Sequence, residues 1–96
     1  MRKSYLFIFS DRVGTRAEVQ KVIDNMPEVI TWRFELNSFF LVSESSATEL
    51  SKSFKEETNH ESGKFLITQI TGNKQGWLSS RAWHVINKKK LKPKED

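Results

Sequence analysis

The chain of 96 residues contains no cysteine, which removes disulfides, thiol nucleophiles and thiolate metal sites together. Its two histidines, His60 and His84, are too few to build a zinc site from protein ligands alone. Glycine is scarce, at four residues, and no Gly-rich loop brings backbone close to a phosphate. No apolar run is long enough to span a bilayer. The apolar stretch behind Arg2 and Lys3 stops at Ser10-Asp11 without a small-residue cleavage site, so it reads as structure rather than as a signal peptide. These absences lead us to expect a cytoplasmic protein with no membrane partner. No complete catalytic or ligand-binding signature is present, so function rests on weaker signals.

The hydrophobic fraction is 36% and the charged fraction 29%, the balance of an ordinary globule. A chain of this size holds one core and one domain. The net charge is +4, but Lys88 to Asp96 carries five lysines against two acids and so supplies +3, leaving +1 for the body. We therefore expect a folded domain over 1–87 and a basic, disordered tail over 88–96, because a charged run with little apolar content cannot offset the entropy of ordering. Such a tail attracts polyanions without reading sequence, and it also serves solubility.

Along the body, Tyr5, Phe7 and Phe9 alternate with Leu6, Ile8 and Ser10, the pattern of a strand apolar on both faces. Thr15 followed by Glu18 is a capping box that starts a helix carrying Val19, Val22, Ile23 and Met26 on one face, and Pro27 ends it. Ile30, Trp32, Phe34 and Leu36 alternate with polar residues in a second strand, and a hairpin turn at Asn37-Ser38 leads to a third over Phe39 to Ser43. Ser46 with Glu49 repeats the capping-box spacing before Ala47, Leu50 and Phe54, and Lys64 to Thr71 forms a fourth strand. Trp77, Leu78, Arg81, Ala82, Val85 and Ile86 then fit a short amphipathic helix.

The order βαββαβ predicts an α+β fold, the ferredoxin-like sandwich in which two helices cover one face of a four-stranded antiparallel sheet, with a short C-terminal helix added. The first and third strands are apolar on both sides, so the second face needs a cover as well. The C-terminal helix or a second copy of the chain would supply it. We expect a homodimer.

Tyr5-Leu6-Phe7-Ile8-Phe9, the segment Trp32 to Val42 with Leu36-Asn37-Ser38 at its middle, and the late Thr71-Gly72 and Gly76-Trp77 resemble the small SinR-like bacterial proteins. Those are similar to the ferredoxin-like small subunit of the CRISPR spacer-acquisition complex and to virulence-associated protein D. The resemblance covers about residues 4 to 86. It implies a dimeric ferredoxin-like domain and, through enzymatic relatives, a metal-dependent nuclease in which an aspartate ending the first strand of each protomer meets its mate across the dimer axis. Two carboxylates there hold a divalent cation that polarises a phosphodiester and its attacking water. The aromatic-Asp pair aligns with Phe9-Ser10, and Asp11 stands one residue late, on the opposite face of a regular strand.

Asp11 is thus the candidate catalytic residue and metal ligand; no cofactor is expected, magnesium or manganese being called for only if the chain is a nuclease. Its plain reading is a turn residue. Arg12 and Arg16 at the start of the first helix are a candidate phosphate site, joined by Lys88, Lys89, Lys90, Lys92 and Lys94 of the tail. Tyr5, Phe7, Phe9, Trp77 and Trp83 are candidate interaction residues, although aromatics in a small domain are commonly core. His60 stands in a polar loop with no nucleophile near it in sequence. Three functions compete: a non-enzymatic nucleic-acid-associated dimer that binds DNA or RNA, a protein-interaction module or inhibitor in a bacterial or phage conflict system, and a divalent-metal nuclease using Asp11.

Overall fold

In the computed structural model, which describes residues 1–58, 63–72 and 74–89, the apolar N-terminal run forms β1 (Lys3–Phe9). It is followed by α1 (Arg16–Asp24), β2 (Val29–Glu35), β3 (Ser38–Ser43), α2 (Ala47–Glu57), β4 (Phe65–Gln69) and α3 (Ser80–Lys88). The four strands make one sheet in the order β2-β3-β1-β4, with every neighbouring pair antiparallel. The result is a small α+β fold consistent with the ferredoxin-like plan. Among the described residues no helix is long and apolar enough to cross a membrane.

The period-two pattern of β1 decides what each face carries. Tyr5 pairs with Leu41 and Phe7 with Phe39, so these side chains share one face. There they pack with Val19 and Ile23 of α1, Met26, and Leu50 and Phe54 of α2. Phe7 is fully enclosed, with its ring 4.8 Å from Phe54 and 5.6 Å from Phe65. Phe39 meets Phe34 edge-on at 4.9 Å and Trp32 at 5.4 Å. Truncating one such buried ring to alanine costs about 3–5 kcal/mol.

The even-numbered residues of β1 and β3 point the other way, and α3 lies over them. Val85 and Ile86 pack on Phe40 and Val42, with Leu6, Ile70, Leu78 and Trp83 around them. The buried Ser4 hydroxyl donates to the Ile86 carbonyl at 3.0 Å, joining the helix to β1. Of the two covers the sequence allows, the C-terminal helix supplies this one within the chain. It does not reach the far end of the sheet, where Ile8 and Leu66, paired across β1 and β4, stay 43% and 58% exposed.

Three local expectations shift. The hairpin turn is centred on Leu36-Asn37, not Asn37-Ser38: both central residues have φ of 55°, the left-handed pair that a two-residue turn needs to match strand twist. Ile30 leaves the alternation because the β2–β3 ladder is irregular between Val29 and Thr31; Val29 packs against the core instead. The last helix begins at Ser80, capped by Ser79, so Trp77 and Leu78 belong to the preceding connection.

Leu36 occupies its left-handed position at a steric cost of about 1–2 kcal/mol, with its side chain 67% exposed. Asparagine tolerates that conformation better, so Leu36→Asn is expected to raise unfolding free energy by about 1 kcal/mol, read from urea denaturation.

Both expected capping boxes are present. The Thr15 N–H donates to Glu18 Oε1 at 2.9 Å and the Glu18 N–H to Thr15 Oγ1 at 3.2 Å; Ser46 and Glu49 repeat the pair at 2.9 and 3.1 Å. The backbone hydrogen bonds from Thr15 and Ser46 hold the Glu18 and Glu49 carboxyls below the ordinary value of 4.5. A carboxyl whose pKa is lowered by folding adds stability above its unfolded value and loses it as pH falls through the folded one. Stability should therefore decline below about pH 4.5, and the Glu18→Gln/Glu49→Gln double variant should flatten that decline in denaturation curves recorded between pH 6 and 3.

Candidate functional site

Two anchors set the site by fixing α3. At its start the Ser79 hydroxyl accepts from the Ala82 N–H at 3.1 Å and donates to Glu35 Oε2 at 3.1 Å, while the Ser79 N–H donates to Glu35 Oε1 at 3.2 Å. One carboxylate at the end of β2 thus holds the helix cap by two bonds. At the other end Arg2 Nη1 donates to the Lys89 carbonyl at 3.2 Å, where Lys89 closes the helix with φ of 58°.

Between β4 and Ser79 the described residues, 70–72 and 74–78, run to α3 without forming helix or strand. Leu78 turns inward to the α3 cluster, whereas Trp77 remains 95% exposed. This connection leaves a groove of about 450 Å³ walled by Leu6, Phe40, Ile70, Leu78, Trp83 and Ile86, with Leu36, Lys74 and Trp77 along it. A second groove of about 390 Å³ carries Arg2, Lys3, Lys74 and Lys89. Ile70, Lys74 and Ile86 line both grooves, so the two are continuous. No acidic side chain is among the described residues that line either one. The Lys74 ammonium donates to the Thr71 carbonyl at 3.1 Å, which leaves two of its three protons for another acceptor. An apolar channel with an exposed indole therefore opens into a cationic one.

The residues singled out from sequence are distributed differently. Asp11 lies exposed in the turn after β1, where the Val13 N–H donates to the Ser10 carbonyl at 3.0 Å. The depression beside it, of about 880 Å³, is lined by Ser10, Arg12, Gly63 and Lys64 as well. Gly63 runs so close that a methyl group on it would lie 2.7 Å from Arg12 Cβ. Two cations and a hydroxyl are poor company for a divalent metal, and among the described residues no three carboxylate or imidazole donors gather. The Arg16 guanidinium sits 4.0 Å above the Phe34 ring, a cation–π contact, while Arg12 lines the depression beside Asp11, which Arg16 does not.

Tyr5 and Phe7 are enclosed beneath α1 and α2, with Phe9 packed against the same core, because the odd positions of β1 face the helices. The Tyr5 hydroxyl donates to the Ser45 carbonyl at 2.6 Å, and burial, reinforced by Glu49, raises its pKa above 10.0. The Tyr5 and Phe7 rings are closed to a partner, whereas Phe9 is half-buried and lines a shallow depression with Ile8 and Leu66. Trp83 is partly buried in the groove wall. Lys88 ends α3 and Lys89 caps it, so the basic run starts inside the folded part. Lys90, Lys92, Lys94 and His60 lie outside the described residues.

Arg2, Lys3, Lys74 and Leu36 escaped the sequence reading, since nothing local marks them. Their common address exists only after β4 pairs with β1 and α3 folds back. The chain matches no known family model, no curated protein and no solved structure in comparisons of sequence and fold.

Ser79→Ala should cost about 1 kcal/mol of unfolding free energy through loss of the cap, whereas Trp77→Ala should stay within about 0.5 kcal/mol of the parent because its ring packs on little. Chemical denaturation of the two variants reads both.

Proposed function

We propose that the chain is a non-enzymatic, dimeric nucleic-acid-associated protein with the ferredoxin-like topology of the SinR-like group and of the small CRISPR spacer-acquisition subunit. The observation that carries this reading is the acid-free groove of Arg2, Lys3, Lys74 and Lys89, placed where α3 ends and the lysines at 90, 92 and 94 follow in sequence. Among the described residues no carboxylate lines the groove, although Glu44 pairs with the Met1 ammonium at its edge at 3.6 Å and Glu49 acts on Lys3. The cations that remain, Arg2, Lys74 and Lys89, bind phosphates by releasing their condensed counterions, which gives affinity without sequence preference. In this reading Arg12 and Arg16 are peripheral, and Asp11 is a turn residue with no call for magnesium or manganese.

The dimer contact in this reading is the patch beyond the reach of α3, where Ile8 and Leu66 are exposed beside the edge strand β4. Apolar side chains left together at a sheet edge favour a self-complementary twofold contact. A second reading, in which the apolar groove takes a protein segment, draws on the same exposed Trp77 and Leu36; it predicts no dependence on the basic tail.

Fluorescence anisotropy with labelled DNA and RNA across a salt series tests the proposal. Binding should weaken steeply with salt, and replacing Lys90, Lys92 and Lys94 by glutamine should reduce the slope of log K against log salt by about 2–3. Sedimentation velocity should show a dimer that Leu66→Glu converts to monomer. Absence of binding at low salt would overturn the nucleic-acid role in favour of a protein partner.

A further inference from the structure

We propose that the apolar groove takes an unpaired base, so that the partner is single-stranded nucleic acid with its backbone along Arg2, Lys74 and Lys89 and a base stacked on Trp77. The inference rests on the nucleic-acid reading above and adds the form of the ligand and the residue that selects it.

Two observations and the chemistry of stacked bases support it. The apolar and cationic grooves are continuous through Lys74, so a strand whose phosphates follow the cations brings its bases to the indole. A duplex keeps its bases stacked on each other and cannot make that contact without being opened, whereas a single strand offers π-faces to an exposed ring. Charge complementarity selects this occupant: the described lining of both grooves holds four cations and no acid, which suits an aromatic polyanion better than a neutral apolar peptide.

Leu36 is the independent sign that the groove is used. It holds φ of 55° in the hairpin turn where asparagine or glycine is favoured, and it keeps its side chain exposed on the groove. A residue that is strained where it stands and leaves apolar surface in water breaks two local rules at once. Such conflicts concentrate at functional positions. The bulky side chain extends the apolar floor on which a base would lie, and the turn carries the strain.

The test uses the full chain with a labelled 12-nucleotide oligothymidylate, its RNA counterpart, and a duplex of equal length. The single strands should bind more tightly than the duplex. Trp77→Ala should weaken single-strand binding about tenfold without altering the salt slope, and Trp77→Phe should recover most of the loss because a phenyl ring also stacks. Lys74→Gln should instead lower the slope by about 0.7. Leu36→Asn should weaken binding while raising the melting temperature, a pairing that a purely structural role for Leu36 would not produce.

If nucleic acid binds and Trp77→Ala changes nothing, or the duplex binds as well as the single strands, the stacking site is overturned while the broader function stands. Should Trp77→Ala dissociate the dimer and leave binding intact, the groove belongs to a second copy and the proposal fails. No binding by the parent at 20 mM salt would overturn the proposal together with the nucleic-acid function.

Discussion

The fold depends on one constraint: its two central strands are apolar on both faces. Phe7 and Phe39 are paired across β1 and β3 and carry the helix-side core, while Leu6 and Phe40, one step along, are paired on the opposite side. A half-polar antiparallel sheet is content with one layer of helices, but this one exposes large side chains on both faces and needs a second layer. The capping boxes of α1 and α2 start the first layer at defined points, and α3 provides the second. Because α3 spans 9 residues, at 1.5 Å of rise each, its cover is partial. Beside it lie the two grooves, and beyond its reach lies the Ile8/Leu66 patch.

Electrostatics sharpen that geometry. Glu35 is engaged by Ser79 and Glu18 and Glu49 by their helix caps, so these carboxylates are tied into local structure and none of them lines a groove. The cations of Arg2, Lys3, Lys74 and Lys89, drawn from both ends of the chain and from the β4–α3 connection, converge on one side. A modest net charge of +4 thereby becomes a local field far stronger than its average suggests, since nearby charges of one sign reinforce each other over a screening length of about 8–10 Å.

Much of this architecture was written in local patterns. Alternation in β1 identified a strand with two buried faces, and the Thr15/Glu18 and Ser46/Glu49 spacings located both helix starts because a capping box is closed within four residues. The need for a second cover also followed from β1 and β3 alone. The turn shifted by one residue because Asn37-Ser38 looked the better turn pair, whereas strand twist requires two left-handed residues and the register put Leu36 in the first. Ile30 was misplaced because an irregular ladder cannot be seen in a periodicity. Trp77 was drawn into a helix by its spacing from Arg81, although the cap at Ser79 starts the helix later. The site itself was the least visible part: Arg2 and Lys89 are 87 positions apart, and only tertiary folding makes them neighbours. Asp11 stands out through the resemblance and Arg12 and Arg16 through their place at a helix start; the fold sets Asp11 in an exposed turn and Arg16 over the Phe34 ring.

In the proposed function the incompletely covered face of the sheet, and not the β1–α1 turn, is the recognition surface. An amide and indole NMR titration of the isotope-labelled full chain with oligothymidylate tests it directly. The Trp77 indole N–H and the amides of Lys74 and Gly76 should shift together and saturate with the ligand. Shifts concentrated between Asp11 and Arg16, with the Trp77 indole unmoved at saturation, would contradict it.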